Sequence, residues 1–434
     1  MKISYYIYVA VTSGLFLFLF PILWIYCRLS TRYRKHLKER LGFLPIHKIR
    51  HMSGSPRIWV HAASLGEVKV ALAITAMLRE VVPGFSLIVS TTTEHGRQLA
   101  EASFGERVPV IYAPIDFFFS VRKALLTVRP DMMVFIETEI WPAWISETSR
   151  MGIKTALING RISIRSINTY LTFRPFFRHI LNNFDLLSMA TEVDASRIKA
   201  MGADSNNVEI NGNAKYDLLE KTSDPGAKDA IKRYLGLDDK ERVLVAGSTR
   251  RGEETLLLDA FEIILKEHKD AILVLAPRHI ERTPLIESEI KSRGMGYHLF
   301  SDLNRNGHTR TEKIIIVNSF GDLFNIYSVA TVVFCGASLV PLGGQNPLEA
   351  AIWGKPVFYG PSMEDFREAK EVLESFGAGM EISDPKALAE KAGRFFAHPD
   401  ETLRIGRLAR KAALKNQGAA KNQAKAIKRL WRSP

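Results

Sequence analysis

Cysteine is nearly absent from this chain of 434 residues, which contains only Cys27 and Cys335. These two lie far apart in the sequence, so the pattern excludes a disulfide framework and a zinc site built on clustered cysteines. The chain also lacks an Asp-x-Asp motif near any strand-like run, because the pair Asp238 and Asp239 falls in a polar connection. We therefore expect a protein of a reducing compartment that uses no catalytic metal.

Charged residues are absent between Lys2 and Arg28, and this run is long enough to span a hydrocarbon core, which needs about 20 apolar residues. A cleavable signal peptide carries its positive charge before the apolar part, whereas here the basic block Arg28–Arg40 follows it. The positive-inside rule then predicts a single membrane anchor over residues 1–30, with the rest of the chain on the cytoplasmic side. A helix that only dips into the membrane is the alternative, because Gly14 and Pro21 interrupt the run.

Acidic residues are also absent after Glu401, and the formal net charge of the chain is +13. Such a balance indicates nucleic acid, a membrane surface or an acidic substrate as partner. Beside a membrane anchor, the basic block Arg28–Arg40 favours anionic lipid head groups. We expect the basic residues of 411–434 to form a helix that packs back on the first domain or contacts the membrane. A solvated helix face is the simpler alternative.

Strand-like apolar runs alternate with helical stretches from Arg57 onward, and the pattern restarts after a polar segment. This alternation predicts an α/β protein with two Rossmann-like, doubly wound parallel sheets. We place the first domain at 31–218, a linker at 219–240 and the second domain at 241–410. Two such domains facing each other across a cleft form the GT-B arrangement, and ligands of open parallel sheets bind at the carboxyl ends of the strands.

Carboxylates follow two strands of the first domain. The motif HAASLGE at 61–67 places Glu67 in the first turn of a helix, with Ser64 and Gly66 as further candidates in its strand-to-helix turn. Glu137 and Glu139 end the apolar run FIE, where strand alternation would put both on one side and raise the pKa of one of them. A helix-capping role for Glu67 and solvated strand-end positions for the pair are the structural alternatives.

Cations follow other strands of the same domain, and Arg161 and Lys215 are therefore candidates for holding a sugar carboxylate or a phosphate. In the second domain, the turn GSTRRGEE, which contains Ser248, suits a phosphate by its amides and helix N-terminus. A further loop, SLVPLGGQNPLEA, brings Gly344 close to a ligand and places Glu349 where it can accept both hydroxyls of a ribose. Surface ion pairs and structural glycines are the alternatives here.

These motifs occur in one order along the chain: HAASLGE, ETEIWP, NGRIS, GNAKYD, GSTRRGEE, PRH, SLVPLGGQNPLEA and GKPVFYGP. In that order, behind an N-terminal membrane helix, they resemble the 3-deoxy-D-manno-octulosonic acid (Kdo) transferases of lipopolysaccharide biosynthesis. The resemblance implies an inverting GT-B glycosyltransferase of the cell inner membrane that moves Kdo from CMP-Kdo onto an anionic lipid A precursor, lipid IVA. It implies no cofactor and no nucleic acid as partner.

The resemblance also assigns roles to residues. Glu67 is the general base, and Glu137 and Lys215 stabilise the transition state. Glu139 stays a further candidate beside them. The residues implied to bind CMP are Pro277, Arg278, Gly321, Asp322, Leu323, Asn346, Pro347, Leu348 and Glu349.

Departures from the family pattern fall in the donor half: Gln345, Ala350, Asp322, Arg250 and the segment Ser362–Phe366. Two other functions therefore stay open. One is a GT-B transferase that uses a UDP-sugar on a lipid acceptor, and the other is a non-catalytic membrane-tethered scaffold.

Overall fold

The computed structural model describes residues 36–303, 310–415 and 417–432, together with Gly14. These residues form two compact units. The first unit contains the chain up to Leu218 and the segment from Gln417 onward, and the second runs from Leu219 to Asn416.

The first unit is built on a parallel sheet of seven strands in the order β3-β2-β1-β4-β5-β6-β7. The strands are β1 (Arg57–His61), β2 (Ser86–Thr91), β3 (Val110–Tyr112), β4 (Met132–Ile136), β5 (Lys154–Gly160), β6 (Leu186–Met189) and β7 (Val208–Ile210). The direction of winding reverses between β1 and β4, which pair in parallel with His61 opposite Phe135. In sheets of this kind, that reversal opens a crevice at the carboxyl ends of the two strands.

Helices cover both faces of this sheet, and several begin at a Ser or Thr whose side chain accepts a backbone N–H, as Ser64 and Thr93 do. The helices are α1 (Leu37–Arg40), α2 (Ile46–Arg50), α3 (Leu65–Val81), α4 (Glu94–Phe104), α5 (Phe118–Val128), α6 (Pro142–Arg150), α7 (Ile164–Thr172), α8 (Arg174–Leu181), α9 (Glu192–Ala200) and α10 (Lys215–Thr222).

Each face of the first sheet has its own apolar core, because successive side chains of a strand point to opposite faces. Ile58 and Val60 of β1 belong to one core, whereas Trp59 between them belongs to the other. The last helix of the described chain, Ala419–Arg432, joins the first of these cores through Ala424, Ile427 and their neighbours.

Helix α1 is fixed to the edge of the first sheet. Glu39 accepts a hydrogen bond from the backbone N–H of Tyr112 at 2.7 Å and pairs with Arg97 at 2.8 Å. The guanidinium groups of Arg40 and Arg97 both lie 4.6 Å from the centroid of the Tyr112 ring, and Arg40 donates to the carbonyl of Thr92. Arg40 therefore serves an internal contact, although it belongs to the basic block predicted to face lipid.

The second unit contains another parallel sheet of seven strands, in the order β10-β11-β9-β8-β12-β13-β14. The strands are β8 (Arg242–Thr249), β9 (Ala271–Pro277), β10 (Tyr297–Leu299), β11 (Ile314–Ile316), β12 (Val332–Cys335), β13 (Val357–Tyr359) and β14 (Gly379–Glu381). The helices are α11 (Pro225–Tyr234), α12 (Glu253–Glu267), α13 (Thr283–Ser292), α14 (Leu323–Ile326), α15 (Leu348–Ala351), α16 (Arg367–Ser375), α17 (Pro385–Ala397) and α18 (Pro399–Leu414). The helix Ala419–Arg432, counted above with the first unit, is α19.

Two parallel-sheet α/β units are thus present, and this part of the predicted fold is confirmed. The predicted membrane anchor, residues 1–30, lies outside the described residues apart from Gly14. Among the helices that the structure describes, none combines the length and the apolar character needed to cross a bilayer.

Two predicted segments differ from the structure. The stretch 219–240, predicted as a linker, is largely helical and begins the second unit, because Asp224 caps α11 and Pro225 fits its first turn. The predicted helix over 411–434 is two helices, since α18 extends to Leu414 and α19 begins only at Ala419, after Gly418 with a φ of 89°.

Candidate active site

The candidate residues of the first unit all follow carboxyl ends of parallel strands. Glu67 lies one turn into the helix after β1, and Glu137 comes directly after β4. Arg161 directly follows β5, and Lys215 opens the helix after β7. Strands β1 and β4 are neighbours at the point where the winding of the sheet reverses. The topology therefore brings Glu67 and Glu137 to the crevice expected there.

Glu67 is a buried carboxylate, only 9% exposed, that belongs to a capping box at the start of α3. One oxygen accepts from the Ser64 hydroxyl at 2.7 Å and the other from the Ala63 backbone N–H at 2.8 Å, while Ser64 caps the Glu67 N–H. Burial and the nearby negative charge of Glu139 raise the pKa of Glu67 to about 7, although both hydrogen bonds lower it.

Both roles considered for Glu67 are therefore compatible. Each carboxylate oxygen can accept two hydrogen bonds, so the cap leaves one acceptor position on each oxygen. A carboxylate with a pKa near 7 is matched to proton transfer at neutral pH. Gly66, by contrast, lies inside the helix without a positive φ, and an added Cβ would meet only the Ser64 hydroxyl at 3.9 Å. The strand-to-helix turn is formed by residues 62–64, so Gly66 does not belong to the turn for which it was predicted.

Glu139 is held by the aromatic groups around His61. The indole N–H of Trp141 donates to Glu139, and His61 Nε2 lies 3.5 Å from the same carboxylate oxygen. His61 Nδ1 contacts the Ser90 hydroxyl at 3.0 Å. Because a carboxylate only accepts, this network favours the tautomer in which Nε2 carries the proton and Nδ1 accepts from Ser90. Burial raises the pKa of Glu139, but the hydrogen bonds from His61 and Trp141 lower it on balance.

Glu137 has a different partner. Its carboxylate lies 2.6 Å from the ammonium of Lys215, and its backbone adopts a left-handed conformation with a φ of 64°. Strand β4 ends at Ile136, so the alternation that predicted a common side for Glu137 and Glu139 does not extend to them. The raised pKa expected for one member of that pair is found instead on Glu67.

Arg161 is half-buried and directly follows β5, the strand next to β4 in the sheet. Its carbonyl accepts from the Thr138 hydroxyl at 2.6 Å, which links the loops after β4 and β5. Asn159, near the end of β5, is also left-handed, with a φ of 56°. Two neighbouring strands thus end in non-glycine residues with positive φ, a conformation that costs of order 1 kcal/mol or more and tends to occur at functional sites.

The candidate residues of the second unit lie in the same way at carboxyl ends of its strands. They follow β8 (Ser248, near its end), β9 (Pro277 and Arg278), β11 (Gly321, Asp322 and Leu323) and β12 (Gly344, Asn346, Pro347, Leu348 and Glu349). Strands β8 and β12 are neighbours at the reversal of this sheet. Arg278 is exposed and Glu349 is half-buried, whereas Pro277 and Leu348 are buried.

The turn after β8 is closed internally by Glu253, which is fully buried. Its carboxylate accepts the backbone N–H groups of Arg250, Ala337, Ser338 and Leu339 at 2.7 to 2.9 Å. The neighbouring Glu254 accepts both guanidinium N–H groups of Arg282. Of these four amides only that of Arg250 belongs to the turn GSTRRGEE, so this one amide is already satisfied, and the phosphate site predicted for the turn stays a prediction.

The glycine loop after β12 packs closely on the loop after β13. A Cβ on Gly343 would lie 2.6 Å from Asp365, and one on Gly344 would lie 2.4 Å from the sulfur of Met363. The Gly343 N–H donates to the Ser362 hydroxyl at 2.9 Å. The segment Ser362–Phe366, which departs from the family pattern, thus supports the glycine loop directly.

Sequence reasoning missed several residues that shape the first site. His61, Ser90 and Trp141 support Glu139, and Asn159 with Gln423 supports the loop before Lys215. His61, Trp141 and Asn159 stand inside the motifs HAASLGE, ETEIWP and NGRIS, so their positions were a signal that was not used. Gln423 gave none. In the described ranges, no three His, Cys, Asp or Glu side chains group in a way that could hold a metal ion.

Comparison with known proteins agrees with this layout. Residues 35–218 match a family model described as 3-deoxy-D-manno-octulosonic-acid transferase. A 3-deoxy-D-manno-octulosonic acid transferase of Rickettsia prowazekii is 31% identical over 76% of this chain and 70% of its own length. The chain belongs to this family. It is therefore a glycosyltransferase, and the suspected resemblance is confirmed.

Two further relatives match at similar identity but differ in how much of their own length is covered. The transferase of Haemophilus influenzae is 28% identical over 90% of both chains. A bifunctional glycosyltransferase/methyltransferase of Fusobacterium nucleatum subsp. nucleatum is 32% identical over 79% of this chain, which spans only 54% of that longer protein.

Solved structures share the fold of the transferase. A UDP-GlcNAc 2-epimerase from Neisseria meningitidis superposes with a TM-score of 0.60 at 14% identity, covering 86% of this chain and 99% of its own. A glycosyltransferase from Rickettsia africae gives 0.59 at 14% identity, covering 87% of this chain and 98% of its own. At this identity the likeness concerns the two-sheet fold alone.

We expect the carboxyl group of Glu67 to titrate near pH 7 in the transferase, because its site is buried and faces Glu139. Replacing Glu139 by Gln removes that negative charge and should shift the midpoint to lower pH. Carbon-13 NMR of the glutamate carboxyl groups measures both midpoints, with Glu67→Gln assigning the signal. A Glu67 midpoint near the ordinary value of 4.5 would contradict the electrostatic account.

Replacing Glu253 by Gln should destabilise the second unit by about 2–4 kcal/mol, because an amide cannot accept from four backbone N–H groups and brings donors of its own. Denaturant unfolding measures the change in free energy. Glu267→Gln, at an exposed position on the same helix, is the matched control and should stay within about 0.5 kcal/mol of the wild type. Equal stability of the two variants would refute the structural role of Glu253.

Proposed function

We propose that this transferase moves Kdo from CMP-Kdo onto a lipid A precursor, lipid IVA, with inversion at the anomeric carbon. The observation that carries the proposal is the buried Glu67, whose pKa of about 7 fits a general base, in a chain that belongs to the Kdo transferase family. Direct displacement needs one base and one activated leaving group. Glu67, a carboxylate with a pKa near neutral at the point where the first sheet reverses, can serve as this base.

The proposed chemistry begins at Glu67. Its carboxylate takes the proton of the acceptor hydroxyl while the oxygen attacks the anomeric carbon of Kdo, and the bond from that carbon to the CMP phosphate oxygen breaks. The Ser64 and Ala63 hydrogen bonds orient the carboxylate, because they fix both of its oxygens. The proton then leaves Glu67 to solvent as its pKa is close to neutral.

Glu137 and Lys215 supply the proposed electrostatic support. A Lys215 ammonium held 2.6 Å from Glu137 is a fixed cation, and a fixed cation stabilises negative charge without reorganising during the reaction. The sugar carboxylate of Kdo and the departing phosphate are the two anions of this reaction. Arg161, which follows the neighbouring strand, is a second candidate for pairing with the sugar carboxylate.

The second unit is proposed to bind the CMP moiety. Arg278 is exposed after β9 and provides a guanidinium for the phosphate or the base. Glu349 stands in the first turn of α15 after the glycine loop, where its carboxylate can accept ribose hydroxyls. Pro277, the run Gly321–Leu323 and the run Asn346–Leu348 complete the proposed site at the same edge of the sheet. No metal or other cofactor takes part in this proposal.

The acceptor side is proposed to lie at the cell inner membrane, with the anchor at residues 1–30 and both catalytic units on the cytoplasmic side. Basic residues and an anionic lipid acceptor are complementary in charge, which supports this placement. A transferase that uses a UDP-sugar and a non-catalytic scaffold are the competing functions. Incubation of the full chain with lipid IVA and either CMP-Kdo or UDP-sugars, followed by mass analysis of the lipid, separates all three.

Replacing Glu67 by Gln should lower kcat for Kdo transfer by at least about 100-fold, because an amide cannot take the acceptor proton. The amide oxygen can still accept from the Ala63 N–H, so the fold should be kept, as circular dichroism would check. Glu80→Gln, at an exposed position on the same helix, should transfer like the wild type. Transfer by the Glu67 variant at the wild-type rate would rule out this base.

The pH dependence of kcat/KM should fall on the acid side through a midpoint near pH 7, because the base works only when deprotonated and the pKa of Glu67 is raised to about 7. In Glu139→Gln the same limb should move to lower pH, while Glu80→Gln should leave it in place. If the acid limb of kcat/KM stays in place in Glu139→Gln, the limb reports the titration of a group other than Glu67.

A further inference from the structure

We infer that Gln423 of α19 is a positioning residue for Lys215, so that the site of the first unit is completed by the last helix of the described chain. The inference rests on the proposed function for the role of Lys215. Its geometry stands independently, since every residue involved belongs to the first unit.

Helix α19 is attached to the first unit by two kinds of contact. Its apolar face enters the core on one side of the sheet, with Ile427 and Ala424 fully buried. Its N-terminus is held by Asp217, whose carboxylate accepts the backbone N–H groups of Gly418 and Ala420 at 2.5 and 2.6 Å. Asp217 lies two residues after Lys215, so this cap ties the helix to the segment that carries the lysine.

Gln423 is a fully buried amide on that otherwise apolar face. Its oxygen accepts from the Asn159 backbone N–H at 2.6 Å and contacts the Ser188 hydroxyl at 3.5 Å. Its nitrogen donates to the carbonyl of Gly212 at 2.7 Å and to Asn159 Oδ1 at 3.1 Å. The backbone partners fix which end of the amide is oxygen, so the orientation is determined by the network.

The same network holds the loop before Lys215 at two points. Gly212 is bound by Gln423, and the Ala214 N–H donates to Asn159 Oδ1 at 2.8 Å. Asn159 is therefore shared between the helix and the loop. Lys215 follows Ala214 directly and reaches Glu137, whose own N–H donates to the carbonyl of Ile158 beside Asn159. A displacement of the amide of Gln423 would move both partners of the ion pair.

Asn159 shows that this arrangement has a cost. It is fully buried, has a φ of 56°, and its Nδ2 group has no hydrogen-bond partner within the described residues. A leucine in place of Gln423 would fit the same apolar face, but it would leave the Asn159 N–H and the Gly212 carbonyl without their side-chain partner. A strained and incompletely satisfied polar cluster next to Lys215 is of the kind that occurs at functional sites, and this supports a positioning role for Gln423.

The test uses the full chain and three variants. Gln423→Leu removes all the hydrogen bonds at similar size. Gln423→Glu keeps the oxygen that faces Asn159 N–H but turns a carboxylate towards the Gly212 carbonyl. Ile427→Ala, which cuts a buried apolar contact of the same helix, is the control for loss of stability alone.

We expect both Gln423 variants to lower kcat for Kdo transfer on the order of 10- to 100-fold, with KM for CMP-Kdo within about twofold of the wild type. Ile427→Ala should lower Tm without a comparable loss of kcat. In a Lys215→Ala background, Gln423→Leu should cause no further loss of kcat, because its effect passes through the lysine. An equal loss in both backgrounds, or wild-type kcat in Gln423→Leu, would overturn the inference.

A second measurement does not depend on the proposed reaction. Hydrogen–deuterium exchange of the peptide that covers residues 211–217 should be faster in Gln423→Leu than in Ile427→Ala. If the wild type fails to transfer Kdo, the proposed function falls, while this exchange still decides whether Gln423 positions the loop. Equal protection of the peptide in the two variants would overturn the positioning role.

Discussion

Parallel pairing of the strands is the constraint on which the rest of this structure depends. Because every strand of a sheet ends at the same edge, residues distant in sequence, such as Glu67, Glu137 and Lys215, are brought to one edge. That edge then concentrates carboxylates in a partly buried place, which is electrostatically unfavourable. The structure compensates each one separately: Ser64 and Ala63 for Glu67, His61 and Trp141 for Glu139, and Lys215 for Glu137.

Burial, hydrogen bonds and neighbouring charges together decide which of these carboxylates has a pKa near neutral. Glu139 gains enough from His61 and Trp141 to stay charged despite its burial, so its pKa is lowered. Glu67 gains less from its capping hydrogen bonds than it loses to burial and to the charge of Glu139, so its pKa rises to about 7. Two carboxylates whose pKa values are separated by their surroundings are the usual mark of acid–base assignment. The capping hydrogen bonds of Glu67 are thus compatible with the role of base that we propose for it.

The sequence was sufficient for the two parallel sheets and for most strands, because fully buried strands appear as continuous apolar runs between turns. Strand β10 gives no such signal, since Tyr297–Leu299 is a half-buried edge strand of three residues without an apolar run. The candidate residues of the first unit were found because strand ends can be located from the pattern, whereas the run Gly321–Leu323 came only from the family resemblance. The partners of these residues could not be found in the same way. A left-handed residue such as Glu137 has no periodic signature in the sequence, and neither has the direction in which a side chain turns towards His61 or Lys215.

Gln423 shows most clearly why local patterns are insufficient. The basic residues around it indicate a solvated helix face, and they do lie on one, since Lys421 and Lys425 are exposed while Gln423 between them is fully buried. Its partners Asn159 and Gly212 precede the whole second unit in sequence. The loop that carries Lys215 therefore takes its final form only when a helix from beyond the second unit has docked. The first site thus contains contacts from a helix that follows the second unit in sequence, and residues up to Leu218 alone would not reveal them.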